Sequence, residues 1–252
     1  MTTTFPPGAP NWLDLGTTDV DGARDFYGEI FGWTLVDLGP EAGGYGFFLK
    51  DGKQVAGIGP ATDADRGTSW STYFATDDVD AVAARVETHG GKVIVPPEDV
   101  MDQGRMAVFT DPAGAFFSSW QPAAHHGAEL VAAVGAMAWV ELSTTDAAAA
   151  AAFYPAVLPA SARDIEMGPG MTYTLLNVDD HAVAGIMQVE SEAPRWGVYF
   201  DVADCDAVAD RAISLGATEM LREDSPAGRM ATLVDPQGGI FSIIKSNPDF
   251  AP

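Results

Sequence analysis

The sequence predicts an α+β protein of four βαβββ modules joined as two tandem halves. Three observations carry that reading. The chain repeats itself at a fixed offset, its apolar residues alternate between strand and helix periods in a constant order, and 47% of its 252 residues are apolar. That content is enough to bury a sizeable core, and the length suits two domains of about 125 residues each.

The repeat is read directly. Trp12-Leu-Asp-Leu-Gly-Thr-Thr-Asp19 returns as Trp139-Val-Glu-Leu-Ser-Thr-Thr-Asp146. Phe26-Tyr27 returns as Phe153-Tyr154, Val55-Ala-Gly-Ile58 as Val183-Ala-Gly-Ile186, and Trp70 with Tyr73-Phe74 as Trp196 with Tyr199-Phe200. Gly104-Arg-Met-Ala107 returns as Gly228-Arg-Met-Ala231, and Asp111-Pro-x-Gly114 as Asp235-Pro-x-Gly238. The chain thus divides into residues 1–122, a linker at 123–130 containing His125, His126 and Gly127, and residues 131–252.

Within the first half, Trp12 to Thr17 alternates as a strand. Asp19 is an N-cap, and Ala23, Phe26, Tyr27, Ile30 and Phe31 form one apolar helix face that Gly32 can end in the left-handed region. Strands follow at Thr34–Leu38, Tyr45–Lys50 and Gln54–Ile58, the last two turning at Asp51-Gly52. A second module repeats the order. Ser71–Thr76 is its first strand, and Val79, Val82 and Val86 mark a helix ending at Gly90-Gly91. Strands at Val93–Val95, Arg105–Thr110 and Ala115–Trp120 complete it. In the third module Pro155 and Pro159 are expected to cut the helix short.

Thirteen Lys and Arg against 36 Asp and Glu give a net charge of −23, spread over both halves. Such a surface excludes a nucleic acid or anionic membrane as partner, because phosphates require basic patches. Cys205 is the single cysteine, so no intrachain disulfide forms; Asp204 and Asp206 beside it oppose a thiolate. The most apolar window, Leu130 to Val140, is about half of the roughly 20 residues a membrane span needs. The N-terminus has no basic segment of the secretory kind, and a cytoplasmic protein is expected.

The module order, with Asp-x(6)-Phe-Tyr after the first strand and Asp-Pro-x-Gly before the last, resembles the vicinal oxygen chelate superfamily of glyoxalase I, extradiol dioxygenases and bleomycin-resistance proteins. The Trp-x-[Asp/Glu]-Leu start and the Gly-Arg-Met-Ala strand look most like its tandem two-domain, glyoxalase-like members, some of which occur in aromatic polyketide pathways. The resemblance spans roughly residues 10–245. It implies paired modules that curl a mixed sheet around a cavity, with metal ligands on the first and last strands. Counted from the matched motifs, those ligand positions fall at Trp12 and Trp139, at Ala56 or Gly57 and Ala184 or Gly185, near Ser71 and Gly197, and at Ser118 and Ser242. None is His or a carboxylate, so no metal site of the family type, and no cofactor, is expected.

Strand alternation puts Asp14 on the same face as Trp12, and Glu141 on the same face as Trp139. Tyr73, Ser118 and Trp120 should share the first cavity, and Tyr199 and Ser242 the second. Two readings of this lining stand. In one, the rings stack on a planar ligand and the acids, with pKa values raised by burial, accept a hydrogen bond or act as general acid or base. In the other, the Trp fills the space of a lost metal site and the acid pairs with an arginine such as Arg105 or Arg229. Arg105 and Arg229 are themselves candidates to clamp a ligand anion, or to bridge acidic groups of the fold. Trp70 and Trp196 are assigned to the helix-side core. Met101, Met106, Met171 and Met187 either line a cavity mouth or fill the core.

These features favour a metal-free binding protein for a hydrophobic, aromatic small molecule, as a monomer or homodimer, with a resistance or accessory role. The alternative is an enzyme (hydroxylase, isomerase, lyase or dioxygenase-like) acting on an aromatic polyketide-like substrate, with Asp14 or Glu141 as acid/base.

Overall fold

The computed structural model describes residues 4–63, 66–168, 171–191 and 193–250. The first half runs β1 (Pro10–Thr17), α1 (Val20–Phe31), β2 (Thr34–Asp37), β3 (Gly46–Lys50), β4 (Lys53–Pro60), β5 (Ser69–Ala75), α2 (Val79–Thr88), β6 (Lys92–Val100), β7 (Gly104–Thr110) and β8 (Phe116–Pro122). The second half repeats it: β9 (Met137–Thr144), α3 (Ala147–Val157), β10 (Ser161–Gly168), β11 (Met171–Val178), β12 (His181–Gln188), β13 (Arg195–Asp201), α4 (Cys205–Ser214), β14 (Thr218–Ser225), β15 (Gly228–Val234) and β16 (Ile240–Ser246). Each half makes one eight-stranded mixed sheet, ordered β2-β3-β4-β1-β5-β8-β7-β6 and β10-β11-β12-β9-β13-β16-β15-β14. The two modules of a half therefore meet at the central β1·β5 or β9·β13 pair, which is antiparallel.

The caps expected from sequence form. The Asp19 carboxylate accepts the Gly22 N–H, and Gly32 sits at φ 69°. The face Ala23, Phe26, Tyr27, Ile30 and Phe31 is buried as its spacing requires. The Pro155 expectation is corrected: α3 runs through Pro155 to Val157. Pro155 lies in the last turn, where few backbone bonds remain to be lost, and burial of Phe153, Tyr154 and Val157 outweighs its cost. β6 also outruns its expected end, carrying Pro96-Pro97 through a register shift between Val95 and Glu98 on the sheet edge, where missing donors are tolerated.

The helix-facing sides of both sheets share one apolar core. α1 packs its Phe31 on Phe200 of β13 at 5.1 Å and its Tyr27 on Phe241 of β16 at 5.4 Å. In the pseudo-symmetric contact, Tyr154 of α3 meets Phe117 of β8 at 5.4 Å. Burying each such ring contributes about 1.5–3 kcal/mol.

Buried polar links cross between the halves, and two of them are related by the repeat. The Tyr27 hydroxyl donates to Asp235 Oδ2 at 2.8 Å and accepts from Trp70 Nε1. The Tyr154 hydroxyl donates to Asp111 Oδ2 at 3.0 Å and accepts from Trp196 Nε1. The other oxygen of each aspartate caps its own turn, through Gln237 N and Gly239 N, or Gly114 N and Ala115 N. The Phe-Tyr and Asp-Pro-x-Gly motifs are thus two sides of one junction, each half supplying the other's partner. Trp70 and Trp196 belong to the core, as their spacing indicated.

Candidate functional site

On the opposite face of each sheet lies a repeated polar cluster. β1 turns Trp12 and Asp14 to this face, where Asp14 stands between Gly57 of β4 and Ser71 of β5. Trp12 is level with Tyr73, and Tyr73 with Ser118 of β8. In the second half Glu141 stands between Gly185 and Gly197, while Trp139, Tyr199 and Ser242 line up in the same way.

Asp14 Oδ1 accepts the Tyr45 hydroxyl at 2.6 Å and Trp12 Nε1 at 2.8 Å, with Tyr73 near enough to lower its pKa. Glu141 takes the Tyr173 hydroxyl on Oε2 at 2.6 Å and the Tyr199 hydroxyl on Oε1 at 3.0 Å. Trp139 Nε1 donates to the Tyr173 oxygen at 2.9 Å. Ser118 and Ser242 hydrogen-bond Tyr73 and Tyr199. In the second half alone the chain extends, Thr232 lying 2.9 Å from Ser242; the matching register position in the first half is Val108. The acids therefore take phenols as hydrogen-bond partners, and Arg105 and Arg229 pair elsewhere.

Tyr45 and Tyr173 are not among the residues the sequence assigns to the cavities; Tyr45 is placed only at the start of a strand. A signal existed: Tyr45 precedes Gly57 by the same spacing that separates Tyr173 from Gly185. The glycines are needed for contact. A Cβ on Gly57 would strike Asp14 Oδ1 and the Tyr45 hydroxyl, and one on Gly185 would strike the Tyr173 ring and hydroxyl.

Burial pushes the carboxyl pKa of Asp14 and of Glu141 upward, against the hydrogen bonds that pull the other way. Burial, and then the neighbouring carboxylate, drives the Tyr45, Tyr73, Tyr173 and Tyr199 hydroxyls well above their usual range, so they remain protonated donors. Arg195 of β13, opposite Ser143, favours the ionised form of Glu141. Asp235 is raised by burial as well. Between the ordinary carboxylate pKa and these raised values the folded chain binds more protons than the unfolded one. Stability therefore falls as pH rises through the folded pKa values. The melting temperature of Glu141→Gln is expected to fall less steeply with rising pH than that of the wild-type chain, while the lowered His125 pKa, common to both, acts in the opposite sense below about pH 6.5. An unchanged slope in that variant would remove Glu141 from the effect.

The two clusters differ in cover. Residues of the linker cross the first one: Ala128 N donates to Asn11 O, Glu129 N to Gln54 O, and Trp120 Nε1 to His125 O. The His125 ring stands edge-on to Trp12 at 4.4 Å and stacks on Phe47 at 5.6 Å, and burial lowers its pKa to about 4. Trp12 is left 3% exposed. A cavity of ≈ 170 Å³ remains beside this strap, lined in part by Phe47, Gln54, His125 and Glu129. That is below the roughly 300 Å³ of a drug-sized site. Five of the six tryptophans are 3–6% exposed, whereas Trp139 is half-buried.

Arg105 and Arg229 are placed elsewhere. Met106 pairs with Trp120 and faces the first cluster, so Arg105 points to the helix side. It pairs there with Asp80 at 3.0 Å and with Asp99 at 3.0 Å. Arg229 likewise pairs with Asp206 and Asp224. Of the two roles open to them, both take that of bridges between strand and acidic groups. Met187 lies beside Ser143 and Tyr173, Met101 is 73% exposed, and the Met171 side chain is outside the described residues. Cys205 is buried, which lifts its thiol to about 11.

The four positions counted as metal-ligand positions do not make a donor set. Trp12 and Trp139 present indole donors, Gly57 and Gly185 have no side chain and no room for one, and Ser118 and Ser242 serve tyrosines. Among the described residues no three His, Cys, Asp or Glu side chains converge as a metal requires. Nor is any described helix long and apolar enough to cross a membrane.

Comparison with known proteins agrees with the geometry of the sheets. Residues 9–118 match the family model "Glyoxalase/Bleomycin resistance protein/Dioxygenase superfamily", and residues 139–244 match "Glyoxalase-like domain". The chain is 44% identical to the anthracycline biosynthesis protein DnrV of Streptomyces peucetius, over 96% of this chain and 95% of that one. It is 42% identical, over the same shares, to the anthracycline biosynthesis protein DauV of Streptomyces sp. strain C5. The Mn(II)-bound glyoxalase from Novosphingobium aromaticivorans superposes with a TM-score of 0.67 over 96% of this chain and 84% of that one, at 18% identity, a likeness of fold. With both halves matched and a relative of 44% identity spanning nearly the whole chain, this protein belongs to the glyoxalase/bleomycin resistance/dioxygenase superfamily, as a tandem two-domain member.

Proposed function

We propose that the chain binds a planar, hydrophobic aromatic molecule against Trp139 on the second sheet, without a metal, in a role tied to aromatic polyketide metabolism. The observation that carries this is the half-buried Trp139 beside a carboxylate held by two phenols, while its counterpart Trp12 is covered by His125. The names of the two Streptomyces relatives support the ligand class. An indole face next to a few fixed polar groups is the composition of sites for such molecules.

Titration with anthraquinones and anthracenes is expected to quench tryptophan emission saturably, and Trp139→Phe to remove most of the quenching. Absence of saturable quenching by every compound would overturn the reading.

A second reading, acid/base catalysis, is favoured by one observation: the Thr232–Ser242–Tyr199 chain ends on Glu141, whose pKa burial raises. Its test is a mass shift or isomerisation of a bound aromatic after incubation with the wild-type chain. Recovery of every compound unchanged would leave binding alone.

A further inference from the structure

We infer that the Glu141 cluster recognises an aromatic molecule by accepting a hydrogen bond from a ring hydroxyl, and that one such molecule binds per chain, in the second half. The inference rests on the binding reading above and names the chemistry of its ligand.

The argument is an accounting of protons. In the second cluster, Trp139 N–H is spent on Tyr173, Tyr173 O–H on Glu141 Oε2, and Tyr199 O–H on Glu141 Oε1. Ser242 is spent on Tyr199 and engages Thr232 behind it. No donor among Trp139, Tyr173, Tyr199 and Ser242 is left over, and Arg195 beside them favours the charged carboxylate. What remains is acceptor capacity: an ionised carboxylate offers about four lone-pair sites, and two are filled. A ligand with only carbonyl or ether oxygens would bring acceptors to acceptors. A ligand with a phenolic or enolic O–H completes the set, and a hydrogen bond to a charged acceptor is stronger than a neutral one.

Cover separates the halves, since each carboxylate takes two donors, Asp14 from Trp12 and Tyr45 and Glu141 from Tyr173 and Tyr199. The space over Asp14 and Trp12 is filled by the chain's own planar ring, His125, which touches Trp12, Phe47 and Trp120. The first half is therefore covered by the chain's own ring, while Trp139 and the open lone pairs of Glu141 are left to a ligand.

The test compares 2-hydroxyanthracene with 2-methoxyanthracene by calorimetry on the full chain. The hydroxyl compound is expected to bind at one per chain, roughly 10- to 100-fold more tightly than its ether. In Glu141→Gln, whose amide adds donors and removes the charge, that preference should fall to a few-fold. Equal affinity of the pair in the wild-type chain, a preference kept in Glu141→Gln, or two hydroxyl molecules per chain would each overturn the inference. The wild-type pair decides by itself if the variant fails to fold. Failure of both compounds, and of the wider aromatic series, to bind at all would instead overturn the binding reading beneath it.

Discussion

Gly185→Ala is expected to abolish aromatic binding and to cost about 2–4 kcal/mol of stability, as overpacking of a tight site does. The added methyl would fall on the Tyr173 ring and hydroxyl, so the ring has to leave. With it goes the bond to Glu141 Oε2 and the partner of Trp139 Nε1. The effect on binding exceeds that of losing one hydrogen bond, because the indole and the carboxylate are released together. Thermal melts and calorimetry of the variant measure both parts. Gly185→Ala with Tyr173→Ala relieves the collision and should recover stability without recovering binding. A single variant that melts and binds like the wild-type chain would show that Tyr173 does not sit over Gly185.

The second large effect concerns the junction between the halves. Asp235→Ala is expected to cost about 3 kcal/mol, which at this chain length lowers the melting temperature by roughly 6–12 °C. It strands the buried Tyr27 hydroxyl and frees the backbone N–H groups of Gln237 and Gly239 at once. Tyr27→Phe, which leaves those turn bonds intact, should cost nearer 1 kcal/mol. The double variant should fall short of the sum, since both remove the same bond. Strict additivity in that cycle would mean that the hydroxyl–carboxylate link across the halves contributes nothing. Asp111→Ala and Tyr154→Phe offer the same measurement at the pseudo-symmetric contact.

Much of this architecture was legible because its determinants are local. The Asp19 cap, the apolar spacing of α1 and the Asp51-Gly52 turn act within a few residues, and the turn takes the positive φ angles its residue types suit. Alternation along β1 and β9 correctly put Trp12 with Asp14 and Trp139 with Glu141 on one face. The same alternation along β7 sets Arg105 on the face opposite Met106, the partner of Trp120. The family came from motif order, which duplication had written twice.

By itself, then, the sequence determined the four modules, their caps and the faces of their strands, because periodicity and residue chemistry are properties of short segments. Tertiary structure decided what those faces meet. It brought Tyr45 and Tyr173 across the sheet onto the acids, laid His125 over one cluster, and carried α3 through Pro155. It also joined the Phe-Tyr motif of each half to the aspartate of the other. These contacts connect residues far apart in the chain, and a repeat that fixes which side of a strand a group occupies carries no information about what lies opposite.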